Sequence, residues 1–202
     1  MNAVHYTILA VDVERFNAPR RTNLHRLIVR SGLYRAVEDA FATSGVRWRD
    51  CHRIDLGDGV LVLTPGDYPK AVFGERVPQE LAKNLSTHNS AHTTEEQIRL
   101  RMVLHAGEIT RDAHGFTGSA IMHAFRLLDS RAAKDALSAS DGDIAVIASD
   151  WFYEEVIRHI KFGDPKSYTS VFAAVKETTT RAWVHLPSTD AGATEIGHEL
   201  AQ

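Results

Sequence analysis

Apolar and polar positions alternate along this chain in stretches of two kinds, one with a strand's period and one with a helix's. Thr7-Ile8-Leu9-Ala10-Val11 is a continuous apolar run with the length and β-branched content of a buried strand, so residues 3–12 are read as the first strand. Leu24, Leu27, Ile28, Ser31, Tyr34, Val37, Ala40 and Phe41 recur at helical spacing and predict a helix over 22–43 packed on a sheet. Thr22 or Asn23 is its N-cap and Gly45 its stop. Next come a mixed run, 47–56, and an apolar run, Val60–Leu63, separated by Gly57-Asp58-Gly59. Glycine adopts positive φ at little cost, so this turn predicts an antiparallel hairpin of strands 47–56 and 60–64 with Asp58 at its tip.

Past Pro65-Gly66, Leu81 and Leu85 predict a second helix within 68–92. A strand over Ile98–Glu108 and a turn over Thr110–Gly118 follow, then a helix over 119–129 that presents Ile121, Ala124, Phe125 and Leu128. A strand at Ile144–Ala148, a helix at Asp150–Ile160 capped by Ser149, and two closing strands at 168–175 and 181–186 complete the pattern. The order gives an α+β fold: a ferredoxin-like βαββαβ sheet with helices on one face and an appended helix and strand pair. It forms one domain over 1–186, and the tail 187–202, rich in Ala, Gly, Thr and Glu, is expected to be poorly ordered.

At 202 residues, with 44% hydrophobic and 24% charged residues, the chain is large enough to bury a sizeable core. A net charge of −3 without a basic patch disfavours nucleic acid as a partner. No apolar run reaches the roughly 18 residues of a membrane helix, and the start of the chain lacks a signal peptide's features, so a cytoplasmic protein with no membrane association is expected. The single cysteine, Cys51, is read as a mid-strand packing residue.

The candidate chemistry lies in two carboxylates. Asp12 ends the first strand and Asp58 sits in the hairpin turn, so they can converge on one point and hold a hard divalent cation bound to phosphates. Other polar groups read as structural. Glu108 is a strand-end residue in contact with solvent, and His88 and His92 are surface histidines without a third metal ligand. The equal spacing of His105, His114 and His123 matches no helical or strand period and is taken as chance.

Ala10-Val11-Asp12-Val13-Glu14-Arg15-Phe16, Gly57-Asp58-Gly59, and Arg101-Met102-Val103-Leu104-His105-Ala106-Gly107-Glu108 followed by Gly118–Leu127 occur in that order. Together, over about residues 4–186, they resemble the catalytic domain of the class III nucleotidyl cyclases, the adenylate and guanylate cyclase superfamily, and its short single-domain actinobacterial members in particular. The resemblance implies a nucleoside triphosphate as substrate and two Mg²⁺ or Mn²⁺ ions per site. Asp12, Asp58 and the Val13 carbonyl match the metal ligands, and the Val13, Glu14, Arg15 and Phe16 amides match the cradle of the terminal phosphates. Arg126 matches the arginine that stabilises the transition state, and Lys176 resembles a phosphate-contacting lysine. A head-to-tail homodimer is implied, each site taking its aspartates from one chain and its arginine from the other.

Three positions depart from the family pattern. Met122 stands where the family has a ribose-positioning asparagine, with His123 next to it. Ile54 and Gly115 stand where the family has a lysine and an aspartate that read adenine, and neither can read a base edge. The base is therefore open. A pyrimidine fits the comparison, because pyrimidine cyclases of bacterial anti-phage defence also depart at that pair. The alternatives are a catalytically deficient cyclase fold that binds a nucleotide or regulates a partner, and a ferredoxin-like interaction domain with no nucleotide.

Overall fold

The structure is a computed structural model that describes residues 2–161, 164–175 and 178–187. β1 (Val4–Val13) lies inside one mixed sheet, antiparallel to β3 (Gly59–Pro65) on one side and to β4 (Leu100–Asp112) on the other. β2 (His52–Asp55) pairs with β3 as the expected hairpin and forms that edge. Beyond β4 lie β6 (Ile144–Ser149), parallel to it, then β8 (Thr178–His185), and β7 (Thr169–Val175) at the far edge. A short β5 (Gly115–Thr117) folds back on the end of β4.

Both faces of β1 are covered, which is why its sequence is a continuous apolar run rather than an alternating one. Leu9, Val11 and Val13 meet α1 (Asn23–Thr43) and α2 (Ala71–Ser90) in one core. Ile8 and Ala10 face the other way, into a second core with α3 (Ser119–Leu128) and α4 (Arg131–Ser138). α5 (Asp150–Glu155) returns to the first core through Phe152.

Helices on one face is thus true of α1 and α2, the helices of the split unit, while α3 and α4 cover the opposite face. They belong to the crossover between the parallel neighbours β4 and β6, and a parallel pair needs a helical connection across a sheet face.

Thr22 caps α1 as expected: its hydroxyl accepts from the His25 amide while the His25 ring meets the Thr22 amide. Gly45, at φ +80°, follows the end of the helix. The core face of α1 is Val29, Leu33, Ala36, Val37, Ala40 and Phe41. Leu24 and Leu27, expected there, are each 65% exposed, because α1 meets the sheet only after its first turns.

Four more expectations shift. Residues Trp48–Asp50 form a 3₁₀ turn, so β2 starts later and Cys51 precedes it; the thiol is 4% exposed, beside the Thr64 hydroxyl. The turn over Thr110–Gly118 is a hairpin, with Thr110 paired to Thr117. The helix from Asp150 ends at Glu155, where Val156 leaves helical geometry, and a 3₁₀ turn over Ile157–His159 follows. α4 was not anticipated, and the tail after Pro187 lies outside the described residues. Among the described residues no helix is long and apolar enough to cross a membrane.

Candidate active site

Asp12 lies near the end of β1, level with Gly59 of β3 on one side and Arg101 of β4 on the other. Its side chain shares the sheet face of Ile8 and Ala10, because successive strand residues alternate. Asp58 sits in the turn before β3, and its carbonyl accepts from the Val13 amide at 2.9 Å, which pins the hairpin tip against the end of β1. Two glycines allow this approach for different reasons. Gly57 has φ +89°, a conformation L side chains rarely adopt. A Cβ on Gly59 would lie 2.0 Å from the Val11 carbonyl oxygen, so only hydrogen fits.

Asp12 feels the charge of Asp58. Burial raises the Asp12 pKa above the ordinary carboxylate value, the hydrogen bond and charge of Arg101 oppose that rise, and the charges of Asp58 and Asp129 add to it. Arg101 is the cation already at the site. Its side chain is 14% exposed and its Nη2 donates to Asp12 Oδ2, while its Nε is buried without a partner among the described residues.

Arg101 stands in the quoted motif, but the sequence assigns it no role. The signal in the sequence is a charged residue between the buried Leu100 and Met102, and only the strand register shows that it faces Asp12.

Asp12, Asp58 and the Val13 carbonyl are hard oxygen donors, the class that Mg²⁺ and Mn²⁺ take. No group of three His, Cys, Asp or Glu side chains among the described residues could hold a metal by itself. This donor set therefore fits an ion that takes its remaining oxygens from phosphate and water, as Mg²⁺ commonly does.

In the turn after β1 the amides are largely engaged. Val13 N donates to Asp58 O, Glu14 N to Arg99 O at 2.8 Å, and Phe16 N to Val13 O at 3.3 Å. Of the four amides expected to face phosphates, only that of Arg15 has no hydrogen bond among the described residues; Arg15 has φ +53°. The Glu14 carboxylate pairs with Arg99 at 3.2 Å, and Phe16 packs on the first core.

On α3, Met122 and Arg126 stand one turn apart on the exposed face, Met122 at 57%. Arg126 makes no hydrogen bond or ion pair with Asp12 or Asp58 among the described residues. Ile54, on β2 opposite Leu61, packs against the second core, and Gly115 lies at the β4–β5 turn with φ +132°. Lys176 lies outside the described residues.

The structure adds to two histidine readings. The rings of His105 and His123 are 4.9 Å apart because α3 lies over β4, and His105 Nδ1 lies 2.7 Å from Ser149 Oγ; His114 is in the exposed turn. His88 and His92 are half-buried, with rings stacked at 3.9 Å, and they close the end of α2 through Glu96 O and His88 O. Glu108 stays largely exposed at its strand and meets His5 at 3.0 Å.

No protein-family profile and no curated protein matches the sequence. Solved structures do match. The guanylyl cyclase Cya2 superposes with a TM-score of 0.67 at 15% identity, over 97% of this chain and 98% of that one. An adenylate/guanylate cyclase/hydrolase from Silicibacter pomeroyi gives 0.62 at 20% identity, over 93% and 99%. The catalytic core of a rhodopsin-guanylyl cyclase with converted specificity, in complex with ATPαS, gives 0.58 at 16% identity, over 91% and 96%. At such identities the likeness is one of architecture, and this chain has the fold of the class III adenylyl and guanylyl cyclase catalytic domains.

Proposed function

We propose that the chain is a nucleotidyl cyclase that holds a nucleoside triphosphate and two Mg²⁺ or Mn²⁺ ions at Asp12 and Asp58, closing the nucleotide to its 3′,5′-cyclic form with release of pyrophosphate. The observation that carries this reading is the convergence of Asp12, the Val13 backbone and Asp58 at one end of the sheet, with Arg101 beside them. Ions bound by these oxygens would neutralise the phosphates and lower the pKa of the attacking ribose hydroxyl. Arg101 then exchanges its carboxylate partner for a phosphate oxygen, a role its planar, always-charged fork suits.

Arg126, exposed on α3, serves the site of a second chain in a head-to-tail homodimer. Ile54 and Gly115 offer no side-chain donor or acceptor to a base, so base choice rests on shape, and pyrimidine triphosphates belong in the test beside the purines.

The test is incubation with Mn²⁺ and, separately, ATP, GTP, CTP and UTP, with cyclic monophosphate and pyrophosphate read by mass spectrometry. One nucleotide is expected to convert, and Asp58→Asn is expected to abolish conversion; a variant that still turns over removes the metal assignment. A second reading, a nucleotide-binding regulator without turnover, draws on the apolar Met122 and on the three engaged amides of the turn after β1. Metal-dependent triphosphate binding with no cyclic product after long incubation is its signature.

A further inference from the structure

On the α1 face of the β1–α1 connection, two arginines lie together with no acid to meet them. Arg21 ends the loop before α1, and its Nη2 donates to Gln97 O at 2.7 Å; its Nη1 is buried without an acceptor. Arg26, one turn into α1, donates from Nη1 to Asn23 Oδ1 at 3.0 Å; its Nε is likewise buried without an acceptor. Neither forms an ion pair among the described residues. The two are near enough that the charge of Arg26, after burial, lowers the pKa of Arg21.

Arg30 shows what a satisfied arginine looks like on the same helix row. It grips both oxygens of Asp55, at 2.9 and 2.6 Å, and donates to the carbonyl of Gly57. That contact also locates the row. Residues four apart on a helix are neighbours, so Arg26 lies one turn along α1 from Arg30, the residue that holds the hairpin carrying Asp58. Arg21 is anchored through Gln97, just ahead of Leu100, the sheet partner of Val13.

Buried guanidinium N–H groups without acceptors are costly, and two like charges side by side add to the cost. A multivalent oxyanion removes both penalties, and the several acceptor oxygens of a phosphate suit two forks that arrive from different elements.

We infer that Arg21 and Arg26 form a binding site for a phosphate-type anion beside the Asp58 hairpin. The anion is either the terminal phosphate end of the nucleotide or free inorganic phosphate or pyrophosphate. The first source rests on the nucleotide reading; the site itself does not.

The experiment is calorimetric titration of the full chain with inorganic pyrophosphate in EDTA, so that no metal takes part. Binding is expected, with Kd at least tenfold weaker in Arg26→Gln and Arg21→Gln, partly restored in Arg26→Lys, and unchanged in Arg20→Gln. If Arg21→Gln fails to fold for want of its Gln97 contact, Arg26→Gln decides, since its side-chain acceptor lies within its own helix. Absence of binding, or binding indifferent to Arg26→Gln, overturns the site.

A second arm titrates pyrophosphate in the presence of Mn²⁺ and saturating triphosphate. Displacement assigns the site to the nucleotide's phosphate end, and simultaneous binding assigns it to a free anion; either result upholds the site. The two readings fail separately. A wild type that converts no nucleotide yet binds pyrophosphate through Arg26 loses the cyclase reading and keeps the anion site. Conversion alongside pyrophosphate binding that ignores Arg26→Gln does the reverse.

Discussion

His105 sits on β4 under α3, and burial, reinforced by the nearby charges of His123 and His5, pushes its pKa down to about 4. A folded-state pKa below the unfolded one means that the unfolded chain takes up a proton the folded chain refuses. The contribution is therefore fully present above about pH 6.5 and is lost as pH falls towards 4. A shift of that size corresponds to about 3 kcal/mol. Burial lowers His123 and His185 as well, so they add to the same acid slope. Urea unfolding between pH 7.5 and about 4.5 is expected to show this loss of stability, and His105→Gln to flatten it; an unchanged slope in the variant removes His105 from the account.

Legibility at this scale follows from what a residue's neighbours in sequence reveal. Asp12 and Asp58 stood out because one ends an apolar run and the other is framed by glycines. Arg101 and the His105–His123 contact did not, because both depend on which residue of a neighbouring strand or helix lies opposite, and that register is written in no single segment.

At the scale of elements, Ser149 joins two functions. Its Oγ accepts from the Phe152 amide at 3.1 Å as the cap of α5, and the same oxygen meets His105. Ser130 caps α4 more simply, accepting from the Ala133 amide at 3.2 Å. Ser130→Ala is expected to cost about 1 kcal/mol, as a lost cap does, and Ser149→Ala about 1 kcal/mol more, because it also strips a half-buried imidazole of its partner. Thermal or urea unfolding of the two variants checks the order, and equal losses would mean that the His105 contact contributes nothing.

Long elements with a buried stripe were legible: β1, α1, α2, α3 and the β2–β3 hairpin stand near where the pattern placed them. α4 was not, since its eight residues bury only Ala133 and Leu137, too few to show a period, although Ser130 before it was a usable start signal. α1 was placed correctly but its inner face was misread at Leu24 and Leu27, because spacing tells which residues share a face and not where along the helix the sheet begins.

At the scale of the whole molecule, Arg126 makes no hydrogen bond or ion pair with the aspartates of its own chain among the described residues, so the proposed homodimer makes a sharp statement about mixtures. Asp58→Asn disables the site to which its chain gives the metal ligands, and Arg126→Ala disables the site on the other side. Mixed and allowed to exchange subunits, the two inactive variants form heterodimers with one doubly altered site and one intact site. Random two-fold pairing then returns roughly a quarter of the wild-type rate. A mixture as inactive as its components places both residues in the same chain's site or removes the dimer.

The thiol of Cys51 lies against the Thr64 hydroxyl and the Arg47 carbonyl, just before the edge strand β2, and burial raises its pKa. It is the only thiol in the chain. A thiol reagent added to the native protein therefore reacts only when this edge of the sheet loosens, and the hairpin that loosens is the one that carries Asp58. The chain has its own clock for that event. Without any engineered label, the slow rate of modification counts how often β2 and the segment before it part from β3, and a ligand that bridges Asp12 and Asp58, by holding the turn between those two strands, makes the clock run slower.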